Sequence, residues 1–286
     1  MVSNSRLILS GLRHLFYKKL NRNIIGLSRE AELPTISLKD VRLYAEATND
    51  NTEDYSEDSI IPPLFVSRLI HNVLMETICD PNLRMNILKM VHGELEINWF
   101  KPVYIADRLR LRMQLKEIID TSAGELLKIS FLITKDGEQA AEAIAGLLIR
   151  NPKGEKAKKE EEKREPISVI EIKTQPDQAL KYAKASLDNN LIHTSTIFAR
   201  LVGLKRPILH GVCVFAITCN ELLKTFASND KQRLVSMRGR FAYPVYPGET
   251  IHLNCFRGSA DNIIDFEVMN KDRKTNIKFG RFEFKK

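Results

Sequence analysis

The chain repeats itself, and this constrains its fold more than any other feature. Residues 44–51 read YAEATNDN and residues 182–189 read YAKASLDN. Upstream of each stretch, Ser37 with Asp40 and Thr174 with Asp177 read as an N-cap residue followed three positions on by an acid, the opening of a helix. Downstream, Phe100-Lys101-Pro102-Val103-Tyr104 corresponds to Ala242-Tyr243-Pro244-Val245-Tyr246. Three landmarks in one order argue for a duplicated domain.

Each half follows one plan. A short helix leads into the YA-x-A-x-x-DN loop, and an apolar helix follows, at 64–78 in the first half and 211–226 in the second. The second of these is apolar on nearly every face and is expected to be buried. Strand-like runs come next, near 90–100, 108–119, 125–135 and 139–150, then near 232–242, 249–257, 262–270 and 275–284. Turn residues such as Asp136-Gly137, Pro247-Gly248 and Asn270-Lys271-Asp272 separate them. One buried helix and a four-stranded meander predict an α+β unit in which an antiparallel sheet wraps a helix. Residues 153–165, KGEKAKKEEEKRE, have almost nothing to bury and read as a charged linker. The expected organisation is a basic segment at 1–29, a first domain at 30–152, the linker at 153–165 and a second domain at 166–286.

The chain has 286 residues, 43% of them hydrophobic, enough for a sizeable core without disulfide staples. Cys79, Cys213, Cys219 and Cys255 form no CxxC pair, and three lie in apolar stretches. They read as thiols in a reducing compartment, which favours the cytoplasm and excludes a zinc-ligand reading. The net charge is +8, but Arg6, Arg13, Lys18, Lys19, Arg22 and Arg29 supply most of it and residues 1–29 hold no acid. The body is near neutral, so no nucleic-acid footprint is expected. Three readings of residues 1–29 stand together: a helix packed on the domain, a mitochondrial transit segment, and a weak membrane contact. No apolar run of eighteen residues exists, so no membrane-spanning helix is expected.

The chemistry concentrates in YAKASLDNNLIHTSTIFA, residues 182–199. Asp188 and His193 lie five residues apart, and the turn formers Asp188, Asn189 and Asn190 break any straight helix between them. Such a loop can aim a carboxylate and an imidazole at one water. Adding water to a double bond conjugated with a thioester needs a base for the water, an acid for the α-carbon and donors for the developing enolate oxygen. Gly211, at the head of the second apolar helix, is a candidate oxyanion donor. Asn190 is a candidate either to brace the loop or to touch substrate, and Ser186 reads as structural. His210 reads as a packing or supporting residue.

Here the sequence resembles a known family. Tyr182, Ser186, Asp188, Asn190, Ile192, His193 and Ala199 are similar to the signature of the MaoC-like, or type 2, (R)-specific enoyl-CoA hydratases. Leu187 stands at that family's glycine and Leu191 at its proline. Gly203 to Gly211 resembles the family segment ending in His-Gly, and Met237 to Phe241 with Pro244 to Glu249 resembles its later strand-turn-strand. The resemblance implies two tandem hotdog domains that mimic a homodimer, with Asp188 and His193 catalytic. It also implies a degenerate first half, where Asp50 aligns with Asp188 and Tyr55 stands in place of His193, serving as the tunnel for the acyl tail.

The expected activity is hydration of 2-enoyl thioesters to (R)-3-hydroxyacyl thioesters, or the reverse, in fatty acid metabolism. The expected partner is acyl-CoA or an acyl carrier protein, with no metal and no redox cofactor, in a monomer or homodimer. Arg200, Lys205 and Arg206 are candidates to meet the phosphates of that substrate, beside the reading of a solvated basic edge. The competing readings are a hotdog thioesterase and a non-catalytic acyl-thioester binding protein, the latter motivated by Leu187 and Leu191.

Overall fold

The computed structural model describes residue 17, residues 19–50, 54–151 and 164–286. The transit or membrane readings of the basic segment and nearly all of the charged linker lie outside the described residues. The described part of the basic segment packs on the first domain: Leu20 is buried and its N–H donates to Glu125.

Among the described residues, ten strands form one antiparallel sheet. In chain order they are β1 (Ser28–Glu32), β2 (Met90–Trp99), β3 (Leu109–Thr121), β4 (Gly124–Lys135), β5 (Glu138–Arg150), β6 (Ser168–Lys173), β7 (Leu234–Phe241), β8 (Thr250–Arg257), β9 (Ile263–Asn270) and β10 (Thr275–Phe284). Their order across the sheet is β1-β3-β4-β5-β2-β7-β10-β9-β8-β6, a palindrome of the two halves. The halves join where β2 pairs with β7, from Glu94 opposite Arg240 to Asn98 opposite Ser236.

Two features differ from the expected four-stranded meander. Each half carries a fifth strand on its outer edge, β1 or β6. Both are short; β1 is mostly exposed and carries Arg29, Glu30 and Glu32, charges that blunt a sheet edge, and half of β6 is exposed. The second strand also pairs with β5 rather than β3. Tight turns link β3 to β4 and β4 to β5. The chain leaving β2 instead crosses the end of the sheet, where Tyr104 bridges to Ile60, and reaches the far side.

The helices are α1 (Leu38–Ala47), α2 (Val66–Ile78), α3 (Gln178–Ser186), α4 (Leu191–Thr194), α5 (Thr196–Leu201) and α6 (Gly211–Phe226). Ser37 caps α1 by accepting from the Asp40 N–H. The mate is different: Asp177, not Thr174, is the N-cap position of α3, and the Thr174 hydroxyl donates to the Glu249 carbonyl. Helix α6 runs buried along the sheet, as its all-round apolar sequence requires. Gly239 of β7 lets it approach: a Cβ there would come within 3.0 Å of Phe215. Helices α1 and α3 meet about the pseudo-twofold axis, with the Tyr44 and Tyr182 hydroxyls 3.3 Å apart. Cys213, Cys219 and Cys255 are buried free thiols. Among the described residues no helix is long and apolar enough to cross a membrane.

Candidate active site

Helix α3 stops at Ser186 because the next residue turns left-handed: Leu187 has φ 69° and ψ 1°. That conformation favours glycine, and a leucine holds it only at the cost of strain. Three hydrogen bonds, each between residues two apart, shape the loop that follows. Ser186 Oγ accepts from the Asp188 N–H (3.2 Å), Asp188 Oδ1 from the Asn190 N–H (3.2 Å), and Asn190 Oδ1 from the Ile192 N–H (3.3 Å). Asn190 thus caps α4, and it braces the loop.

His193 lies on the single turn of α4, buried. Its Nδ1 is 2.8 Å from the Ile208 carbonyl. A carbonyl can only accept, so Nδ1 carries the proton and Nε2 presents a bare lone pair. His210, the N-cap position of α6, places its Nε2 2.9 Å from the Asp188 main-chain carbonyl and 4.0 Å from Asp188 Oδ2. The two imidazoles stack with centroids 3.7 Å apart and planes 25° from parallel, and Tyr182 backs His210 at 4.9 Å. His210 Nδ1 is buried with no protein partner.

The electrostatics favour one protonation pattern. Burial pushes His210 down to about 3, with the His193 ring adding to the shift. Burial also lowers His193, against the pull of Asp188. Burial acts to raise Asp188, but the histidines around it and the Asn190 N–H outweigh it and hold the carboxyl below its ordinary value. The resting cluster is one carboxylate beside two neutral imidazoles.

Donor atoms of Asp188, His193 and His210 lie within 4.8 Å of one another, the spacing of a metal site. The stacked rings do not suit one. Near-parallel imidazoles send their in-plane lone pairs side by side rather than to one point, and His210 Nε2 is spent on the Asp188 carbonyl. The cluster suits proton transfer to and from a water held between Asp188 and His193. Gly211, the next residue after His210, opens the 16-residue α6. Its first-turn N–H groups lack intrahelical acceptors and face developing negative charge well.

The sequence reading brought Asp188, His193, Asn190, Ser186 and Gly211 to one place, and the fold does the same. Arg200 and Lys205 are exposed. Arg206 is already engaged, donating to the Pro247 carbonyl (2.8 Å) and lying 5.1 Å from the Tyr246 ring centre. Two histidines given no role, His71 on α2 and His92 on β2, come from the first half, yet both feel the charge of Asp188. His92-Gly93 echoes His210-Gly211 in the sequence, but on a strand rather than at a helix start, and the junction of the two halves brings both histidines there.

The counterpart location in the first half is filled. Tyr55 donates to Asp50 Oδ2 (2.6 Å), and Lys231 from the second half meets the Tyr55 hydroxyl and lies 3.5 Å from Asp50 Oδ2. Phe65, just before α2, packs edge-on against Tyr44, at the place His210 takes beside Tyr182, where the rings are tilted at 52°.

Comparison with known proteins agrees with this geometry. A MaoC like domain is matched over residues 157–276, and a FAS1-like dehydratase domain region over residues 23–143. A probable enoyl-CoA hydratase 2 of Dictyostelium discoideum is 25% identical over 257 residues, covering 83% of this chain and 87% of that one. A mouse peroxisomal multifunctional enzyme type 2 is 29% identical over 186 residues, 62% of this chain, but the match spans only 25% of that longer protein. Among solved structures, a MaoC-like dehydratase from Phytophthora capsici superposes with a TM-score of 0.79 at 24% identity, covering 94% of this chain and 98% of that one. A Mycobacterium tuberculosis protein with a double hotdog fold superposes at 0.59 and 9% identity, over 91% and 96% of the two chains. On one continuous sheet, the chain thus carries a FAS1-like dehydratase region followed by a MaoC-like dehydratase domain, in a double-hotdog fold.

Proposed function

We propose that this chain is a hydro-lyase that adds water to 2-enoyl thioesters to give (R)-3-hydroxyacyl thioesters, or runs the reverse dehydration, in fatty acid metabolism. The observation that carries this is the tautomer of His193. The Ile208 carbonyl holds the proton on Nδ1 and leaves Nε2 bare beside an ionised Asp188.

His193 Nε2 takes a proton from a water that Asp188 orients, and the oxygen forms a bond to the β-carbon. Electrons of the double bond move onto the thioester oxygen, which rests on the N–H of Gly211 at the start of α6. The imidazolium, balanced by Asp188, then returns its proton to the α-carbon. One proton is taken and one is given, so the site ends as it began. His210 stays neutral and holds Asp188 through its main chain. Nothing in these steps calls for a metal or redox group.

The loop geometry favours an enzyme over a non-catalytic binding protein. Leu187 keeps the left-handed conformation that a glycine would take, and Asn190, at φ −58° and ψ 130°, keeps the extended form that precedes a proline. The first half is a degenerate hotdog domain whose Asp50–Tyr55–Lys231 cluster closes its own site, leaving it to hold the acyl tail. Arg200 and Lys205, exposed near the site, are the candidates for the phosphates of CoA or of a carrier protein's phosphopantetheine. The free thiols fit a reducing compartment such as the cytoplasm.

The test is loss of the conjugated enoyl-thioester absorbance with crotonyl-CoA and a longer 2-enoyl-CoA, beside a His193→Ala variant. Decay that needs His193 supports the proposal. Binding of both thioesters with no decay in either overturns it in favour of a binding protein.

A further inference from the structure

The junction of the two halves hides a buried acceptor that the reaction above does not use. In β2, Leu95 and Ile97 face the helices and the core, opposite Ala145 and Ala143 of β5. Strict alternation would turn His92 to the other face. A bulge intervenes: the register slips between His92 and Glu94, so His92 stands opposite Leu147, a core-facing residue of β5. One extra residue in the strand thus swings the imidazole onto the helix-bearing side, a use of bulges that recurs beside active sites.

There His92 meets the second half. Its ring sits edge-on to Phe241 of β7, centroids 5.1 Å apart. Phe241 covers Gly211 so closely that a Cβ on Gly211 would come within 3.0 Å of its ring. His92 is therefore one aromatic ring away from the oxyanion N–H. Burial pushes its pKa down to about 4, so the ring is neutral at physiological pH, and it hydrogen-bonds the backbone at Glu94. Its Nε2 is buried and has no protein partner. On the neighbouring α2, Asn72 Oδ1 is a second buried acceptor without one. Buried polar atoms are rarely left unpaired, and each one so left calls for an explanation.

A plain hydrocarbon tail and a thioester carry no hydrogen-bond donor, whereas a hydroxyl on the acyl chain does. We infer that His92 is a specificity-determining residue whose Nε2 accepts a hydrogen bond from a chain hydroxyl, so that the preferred substrates are acyl thioesters hydroxylated along the chain beyond the reacting carbons. This rests on the hydratase reading, with the acyl tail lying in the first half. A site built for a hydroxyl discriminates because an unsubstituted chain leaves the buried acceptor desolvated and unpaired.

The experiment measures binding of saturated, non-reacting acyl-CoA thioesters by calorimetry: decanoyl-CoA against a series hydroxylated at successive chain carbons beyond the third. The expected result is one hydroxylated isomer bound about ten-fold tighter than decanoyl-CoA, the worth of one good hydrogen bond. In a His92→Phe variant of unchanged melting temperature, the preference should vanish or reverse. His92→Asn, which restores an acceptor, should recover part of it. If every isomer binds no better than decanoyl-CoA while crotonyl-CoA is still hydrated, this inference is wrong and the hydratase reading stands. If no acyl-CoA binds and none is turned over, the hydratase reading fails and takes the inference with it.

Discussion

Replacing His210 with phenylalanine tests the central electrostatic claim. Phenylalanine is the residue the first half already uses at this place, just before α2, so its shape suits the position. In the folded protein His210 titrates near 3, against 6.5 for an ordinary histidine. Its folded pKa lies below its unfolded one, so the unfolded chain takes up the proton first. The stability it contributes is complete above about pH 6.5 and is lost as the pH falls toward 3. At about 1.4 kcal/mol per unit, the full loss is about 5 kcal/mol, of which about 2 kcal/mol has gone by pH 5. The His210→Phe variant lacks this titration. At neutral pH it should be less stable than the wild type by about 1 kcal/mol, for the lost hydrogen bond to the Asp188 carbonyl. Toward pH 5 the order should invert, because the wild type weakens by about 2 kcal/mol more than the variant. Urea unfolding of both proteins at neutral pH and at pH 5 measures it, with the m-value checked for two-state behaviour. Equal loss of stability in the two proteins would refute a neutral, buried His210.

The remaining predictions concern the loop, the chemistry and the closed site. Asp188→Asn and His193→Ala should each lower kcat for crotonyl-CoA hydration by roughly 10²–10⁴-fold with the melting temperature kept, and unchanged rates in both would remove the site assignment. Activity should persist to lower pH than an ordinary histidine allows, since both His193 and Asp188 are shifted down; an acid limb in kcat/KM above pH 6.5 would contradict this. Leu187→Gly should be more stable than Leu187→Ala by about 1 kcal/mol in thermal unfolding, because alanine keeps the left-handed strain and glycine relieves it. Lys231→Met should cost about 3 kcal/mol by urea unfolding, since it leaves the buried Asp50 carboxylate without its cation.

The sequence by itself determined the local and the periodic features. The repeat, the buried α6 and the principal strands follow from short-range patterns, and those patterns survive folding because each is set by neighbours along the chain. Asp188, Asn190 and His193 were legible for the same reason: one loop and one helical turn hold them, through bonds spanning a few residues. Features built from distant residues were not legible. Strands β1 and β6 take their place from a ladder partner far along the chain, and the charged sequence of β1 does not announce it. The crossing of β2 to the far side of β5 is a matter of sheet order, which alternation does not encode. His210 came next to Asp188, and Lys231 next to Asp50, only when the chain closed on itself. His92 shows the limit most clearly. Its alternation points it to the wrong face, and only the bulge and the pairing of the two halves turn it toward the site. Local hydrogen bonds and hydrophobic period specify the pieces; which face each piece shows another is decided by packing across the whole sheet.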